Sequence, residues 1–369
     1  MDFRPTESQQ LLINTAREWL RRRCPDELVQ SVAADARGIP EDLWKEMALL
    51  GWPGLLVPAD LGGSDGSLLD VLLLVEEMGR AGLPGPFVPS AVVATTLLLT
   101  AGTTEQQRRL LPGMAMGERL CTLAIAEEEG RAEPSAIALA ASPGGRVTGR
   151  KLFVRDAHLS EHLILVARGA GGLNLFLLET ARTGVSVAPM ETISGEKCFE
   201  VALTNVAVDA GDLLGPAGGG AAALAVGLRA GTLARTAEMV GGAARALDLA
   251  VQHARTRVQS GRPIGAFQAI QHHCADMLRH VDGARYLLYR AAWKVESGQD
   301  AAADVAMAKA HAGEAGLAVA RKAHQILGAI GYCEEHILHR LHKRLQAASV
   351  DFGGTGEHLE TVAAAIGLE

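Results

Sequence analysis

Leu11, Leu12, Ala16 and Leu20 recur at the spacing of one helix face, and this pattern predicts helix from residue 6 onward. The same period returns over residues 41–50 behind Pro40, a residue favoured at helix starts, and over 68–82, where Glu76 and Glu77 fall on the predicted polar side. Thr103 is placed to cap a further helix over 103–111. Gly62-Gly63 and Pro84-Gly85-Pro86 punctuate these stretches, so residues 6 to 115 read as an all-helical block.

Near residue 119 the period shortens. Segments 120–126, 137–141, 146–154, 163–167, 173–178, 185–190 and 200–208 have strand character and are separated by glycine, proline and asparagine. Short strands at this spacing predict a small β-barrel or sandwich. A glycine- and alanine-rich stretch, 211–222, follows. It lacks the lysine of a phosphate loop and the glycine pattern of a dinucleotide fold, so it reads as a hinge. Residues 221–260, 268–298, 301–328 and 334–366 then return to helical periodicity, four long helices that predict an antiparallel bundle. The expected fold class is α+β, with an N-terminal helical domain (1–117), a middle β-domain (118–212) and a C-terminal four-helix bundle domain (213–369).

Charge and cysteine usage narrow the function classes. With 35 Lys and Arg against 42 Asp and Glu, the net charge of −7 argues against a nucleic-acid partner. Arg21-Arg22-Arg23 sits within a helical pattern and reads as solvated surface. Five cysteines without paired spacing suit free thiols in a reducing compartment. The N-terminus is too polar for a signal peptide, and the longest apolar run, near 91–99, is too short to span a bilayer. These features predict a cytoplasmic protein with no membrane partner.

The most informative run is Arg257-Val258-Gln259-Ser260-Gly261-Arg262-Pro263-Ile264-Gly265-Ala266-Phe267-Gln268, continuing to Gln271-His272-His273-Cys274-Ala275-Asp276. It resembles the signature of the acyl-CoA dehydrogenase family. Leu50-Gly51-Trp52-Pro53-Gly54 with Val57-Pro58 and Leu61-Gly62-Gly63 is similar to a family stretch in the first block. So are Gln106 to Pro112 with Gly117-Glu118, and Gln325-Ile326-Leu327-Gly328-Ala329-Ile330-Gly331-Tyr332 in the bundle. The resemblance covers the whole chain. It implies a flavoprotein oxidoreductase that desaturates an acyl-CoA thioester between its α and β carbons, in fatty acid or steroid side-chain degradation. It implies FAD as cofactor, a homo- or hetero-oligomer (dimer or tetramer) with another such subunit, and an electron-transferring flavoprotein as acceptor. By the same resemblance Arg257 meets the pyrophosphate of a neighbouring subunit's FAD, a task suited to a planar guanidinium. Gln268, Gln325 and Gly328 match positions that hold the adenine side, Thr355 one near the pyrophosphate, and Phe153 one that covers the flavin ring.

The chain departs from the family where the chemistry should occur. The usual catalytic glutamate is Gly353, and the alternative position used by some members is Gly231 or its neighbour Thr232. Asp351 and Glu357 flank the gap as weak substitutes, and Glu238 lies about two turns beyond the alternative position, roughly 10 Å along the axis. In the β-domain, Ala126-Glu127-Glu128-Glu129-Gly130-Arg131-Ala132-Glu133 places carboxylates where hydroxyls meet the flavin, an expected repulsion, and Arg155 replaces a small hydroxyl residue. Two histidine series, His272/Asp276/His280 and His336/His339/His342, have metal-compatible spacing but read as structural or surface groups. Three readings follow: a degenerate subunit that shares FAD with a catalytic partner, a self-sufficient dehydrogenase with a relocated base, or a non-redox thioester-binding or dehydratase-like protein on the same fold.

Overall fold

The computed structural model describes residues 3–128, 130, 134–169 and 171–368. In chain order the helices are α1 (Glu7–Arg23), α2 (Asp26–Ser31), α3 (Glu41–Leu49), α4 (Leu68–Ala81), α5 (Thr95–Ala101), α6 (Thr104–Ala115), α7 (Gly220–Thr256), α8 (Gln268–Glu296), α9 (Ala302–Leu327), α10 (Ala329–Tyr332), α11 (Leu338–Val350) and α12 (Thr355–Ala365). Between α6 and α7 run β1 (Cys121–Ala124), β2 (Arg146–Arg155), β3 (His162–Gly169), β4 (Gly172–Glu179), β5 (Val185–Met190) and β6 (Cys198–Ala207), and a hairpin of β7 (Val258–Gln259) and β8 (Arg262–Pro263) joins α7 to α8. Helical block, sheet domain and helical bundle therefore follow one another as the sequence predicts. Contacts group the chain into two compact units: one of Met1–Ala34, Leu68–Leu83 and Thr232–Glu369, the other of Asp35–Ser67 and Pro84–Gly231.

In the first unit, α1 begins with a capping box in which the Thr6 hydroxyl accepts the Gln9 N–H, and it ends on Arg21, Arg22 and Arg23, whose charge suits the helix C-terminus. Its buried face is Ile13, Ala16, Trp19 and Leu20, while Leu11 is exposed, so the apolar stripe is rotated from the predicted one. Helix α4 departs further: every residue from Val71 to Met78 is buried, including Glu76 and Glu77. These carboxylates are not a solvated face. Glu77 accepts a bidentate pair from Arg17 at 2.6 and 2.9 Å, and Glu76 accepts from Arg285 Nε and the Tyr289 hydroxyl, both at 2.9 Å. A buried carboxylate without such donors would cost several kcal/mol, so the pairing is what makes an all-buried α4 tolerable.

Helix α9 packs against α8, α11 and α12, and its buried stripe is mostly alanine and glycine, which lets helix axes approach closely. One bundle core joins Ala246, Ala250, Met277, Val281, Val319, Ile326 and Leu338. The predicted fourth helix is broken in two. After α11 the backbone turns extended at Asp351 (ψ 138°), then left-handed at Phe352 (φ 57°) and Gly353 (φ 96°), before α12 starts.

In the second unit the strands form two three-stranded sheets, β1-β3-β4 and β2-β6-β5, with β1 parallel to β3 and the other pairs antiparallel. Val147, Val154, Leu163, Leu165, Phe176, Phe199 and Val201 share one core. The sheets do not close into the barrel form of the prediction. Segment 137–141 makes only isolated bridges, Ala140 to Arg168 and Ala141 to Val147, so six of the seven expected strands form. An eight-residue π-helix, Phe87–Ala94, was not foreseen, because its continuous apolar run carries no period to read. Among the described residues, no helix is long and apolar enough to cross a membrane.

Candidate functional site

Around position 353, where the resemblance expects a base, the charged side chains are engaged within the bundle. The Arg235 side chain, 3% exposed, pairs with Glu238 and, at 3.0 Å, with Asp351. Arg344 lies 3.9 Å from the other Glu238 oxygen and donates to the carbonyls of Gly82 and Leu83. Glu357 turns back to accept the Gly354 N–H at 3.1 Å. The His358 ring nitrogen Nε2 lies 3.0 Å from the Phe352 carbonyl, which assigns it the proton. Beneath them the fully buried Lys309 donates to the carbonyls of Ser349 (2.9 Å) and Gly353 (2.8 Å). Burial pushes the Lys309 ammonium down to about 8, with Asp351 opposing and Arg235 adding to the shift. Burial also lowers His358, with Lys309 contributing, so its imidazole favours the neutral form.

Gly353 itself has φ 96°, a conformation that side chains rarely adopt. A Cβ built there would lie 2.9 Å from His358 Nε2 and 3.0 Å from a Glu357 oxygen. Residues 351–354 are not helical, so Asp351 belongs to the turn before α12 and Glu357 to the first turn of α12. Gly231 and Thr232 are buried within α7.

The far end of α9 is different in kind. Arg257 directly follows α7, Gln268 opens α8 and Gln325 lies in the last turn of α9; all three are exposed. Contacts of Lys322 with His273 (3.1 Å) and Asp276 (3.2 Å) bring the start of α8 and the end of α9 together. Among the described residues, none of the three side chains has a hydrogen-bond or ion-pair partner. The turn before α8 is made without them: Gln271 donates to the Gly265 carbonyl, and Arg262 stacks 4.2 Å over the Phe267 ring. Gly328 ends α9 with φ 68° and ψ −143°, and nothing lies within 4 Å of a Cβ placed on it. Beside this corner an open groove of about 550 Å³ is lined by Leu247, Val251, Gln252, Arg255, Cys274 and Leu278. An unengaged guanidinium and two unengaged amides form a donor set that fits a dinucleotide's phosphates and base.

Thr355 does not belong to that corner. It faces Gly313 of α9, twelve residues before Gln325, or roughly 18 Å along the helix. The structure thus divides the predicted cofactor residues between two places in this unit.

In the sheet unit, Phe153 lies on a β-bulge of β2 with φ 55° and is 51% exposed, its N–H donated to the Met190 sulfur at 3.4 Å. A bulge re-aims a side chain, and here it turns an aromatic ring outward, as a ring-covering residue requires. Glu127 and Glu128, the carboxylates expected to repel a flavin, are paired within this unit. Glu127 accepts from Lys151 at 2.6 Å and from the N–H groups of Ala138 and Leu139, and Glu128 pairs with Arg150 at 2.6 Å. Glu127 is held below the usual range by Lys151 and those backbone donors, against the opposing effect of its burial. Arg155 is folded onto Glu196 at 2.6 Å. Glu129, Arg131, Ala132 and Glu133 lie outside the described residues.

The five cysteines are free, and burial pushes Cys24 and Cys121 up to about 12, which leaves both inert at neutral pH. The buried His324 stacks on Tyr332 at 4.6 Å and lies 5.1 Å from His342, so that part of the histidine series has a packing role. Arg235, Lys309 and His358 escaped the sequence reading. Arg235 sits inside a helical stripe without a motif, and an (i, i+3) Arg–Glu spacing on a helix usually marks surface.

Comparison with known proteins shows the family and the fold. The family description "Acyl-CoA dehydrogenase, N-terminal domain" matches residues 6–118, and "Acyl-CoA dehydrogenase, C-terminal domain" matches 217–367. A 3-(aryl)acrylate reductase from Clostridium sporogenes is 30% identical, over 97% of this chain and 98% of that protein. The ChsE4-ChsE5 complex from Mycobacterium tuberculosis contains a chain 28% identical, with a TM-score of 0.91 over 99% of both chains. An FAD complex of PigA superposes with a TM-score of 0.91 at 25% identity, over 100% of both chains.

Proposed function

The chain belongs to the acyl-CoA dehydrogenase family of FAD-dependent oxidoreductases, and from that premise we propose that it is a dependent subunit: it binds FAD jointly with a catalytic partner that supplies the base. The observation that carries this reading is the engagement of each carboxylate near the vacant position. Glu238 and Asp351 are taken by Arg235, and Glu357 caps α12. Removing a proton α to a thioester needs a positioned carboxylate, a contribution typically worth about 10²–10⁴ in rate. A carboxylate held by a buried arginine is a poor acceptor for that proton, so a relocated base within this chain is disfavoured.

The open corner has the opposite character. Arg257 would take the pyrophosphate of the partner's FAD, Gln268 and Gln325 its adenine side, and Gly328 would leave room for close backbone approach. Phe153 and Thr355 would serve this chain's own ring-side and pyrophosphate positions. When bound, FAD supplies the acceptor for the electrons that leave the α,β bond. The reading includes an acyl-CoA thioester substrate, an electron-transferring flavoprotein as acceptor, a cytoplasmic location and the domain limits 1–117, 118–212 and 213–369. A solved relative with two differently named subunits lends it support.

The test is purification of the chain alone and then co-expressed with a neighbouring dehydrogenase gene, with flavin measured per chain. The expected result is little flavin alone, and flavin with thioester-dependent bleaching in the mixed assembly. A homotetramer of this chain that holds stoichiometric FAD and bleaches with an acyl-CoA would overturn the proposal. A colourless protein that binds CoA esters in both preparations would favour a non-redox role instead.

A further inference from the structure

The segment from Ser349 to Gly354 is tethered at nearly every residue. Lys309 holds the carbonyls of Ser349 and Gly353, Arg235 holds the Asp351 carboxylate, His358 holds the Phe352 carbonyl and Glu357 holds the Gly354 N–H. The direction in which a side chain at position 353 would leave the backbone is filled by the tip of His358, 2.9 Å from the Cβ position, and by the Glu357 carboxylate at 3.0 Å. Both groups are anchored, so neither moves aside without breaking its own hydrogen bond. Lys309 and Glu357 are the charged groups that face the imidazole, and Arg235 lies beyond Lys309.

We propose that His358 is a built-in plug of the vacated base position, and that Lys309 and Arg235 are positioning residues that hold the surrounding segment in a conformation suited to glycine. The inference rests on the reading above only in taking Gly353 as the family's base position. The loss of the glutamate is then not a simple replacement: the backbone, the filling imidazole and two buried cations have settled around its absence. Restoring a carboxylate at 353 alone strains the segment and displaces the plug.

The experiment is a thermal-unfolding cycle on the full chain, in whichever assembly is stable, with Gly353→Ala, His358→Ala and the double variant. Gly353→Ala is expected to lower Tm by about 2–5 °C, since it adds both contact and positive-φ strain. In the His358→Ala background the loss should fall to about half, because the backbone strain and the Glu357 contact remain while the imidazole contact is gone. Equal losses in the two backgrounds would overturn the plug. Should His358→Ala fail to fold, ¹⁵N shifts of the wild-type imidazole give a second reading. A ring locked in the Nε2–H tautomer is expected, and a ring that exchanges tautomers and titrates like a free histidine refutes the idea. Neither measurement depends on flavin content, so failure here is distinct from failure of the dependent-subunit reading.

Discussion

The two ends of the α9 neighbourhood differ in how their polar groups are used. Around Gly353 the polar groups are turned inward on one another, and the Arg235 side chain is 3% exposed. At the Arg257 corner the side chains of Arg257, Gln268 and Gln325 are exposed and unfastened among the described residues. Buried polar groups must pair within the chain, whereas exposed donors are satisfied by water and stay available to a ligand. The contrast teaches that a decayed site is better recognised by what its remaining groups are doing than by which residues are missing.

The sharpest way to break this comparison is at Arg235. Arg235→Ala leaves Glu238 and Asp351 without their buried cation and should cost about 3–5 kcal/mol of stability, read by denaturant or thermal unfolding. Arg235→Lys should recover only part of it. A loss under 1 kcal/mol would show that the cluster is wetter and looser than it looks. Next in size is Arg257→Ala, which should leave stability within about 0.5 kcal/mol of wild type, as surface substitutions do. It should nevertheless weaken flavin retention in the mixed assembly by about tenfold to a hundredfold, the scale of a charge-assisted hydrogen bond. If its stability falls and flavin does not, the corner is structural after all.

Gly328→Ala tests the same corner through the backbone. With φ 68° and ψ −143° and open space around the Cβ position, its cost should be purely conformational, about 1–3 kcal/mol, with no repacking visible in side-chain spectra. The smallest effect is on acid stability. Burial depresses His324 and His358 below the ordinary 6.5 of an unfolded chain, so the folded state binds fewer protons there. Their stabilising contribution is present above pH 6.5 and is lost as pH falls below it toward the depressed values. Hydrogen exchange should therefore quicken first around 324–332 and 351–358 as the pH drops below 6.5, while the start of α8 at Gln268 is unaffected.

Much of the architecture was readable in advance, because helical and strand periods are local properties. The Thr6 capping box starts α1 where the apolar period begins. The errors share a cause. Glu76 and Glu77 were assigned to solvent because periodicity ranks a carboxylate as polar and cannot know that Arg17, Arg285 and Tyr289 will surround it. Residues 334–366 read as one helix because the pattern hardly changes across Phe352 and Gly353. That Glu127 and Glu128 pair with Lys151 and Arg150 could not be read from spacing, because both cations come from β2.

The amino-acid sequence by itself determined the order of helices and strands, the kinship carried by the Arg257–Gln268 run, and the absence of a carboxylate at position 353. Tertiary structure alone decided what the groups around that position touch. Whether Asp351 is a base or the partner of a buried arginine depends on groups far apart in the chain that only packing brings within 3.0 Å. Pairing energy is set by distance and burial in space, and neither is written in the spacing of residues along the chain.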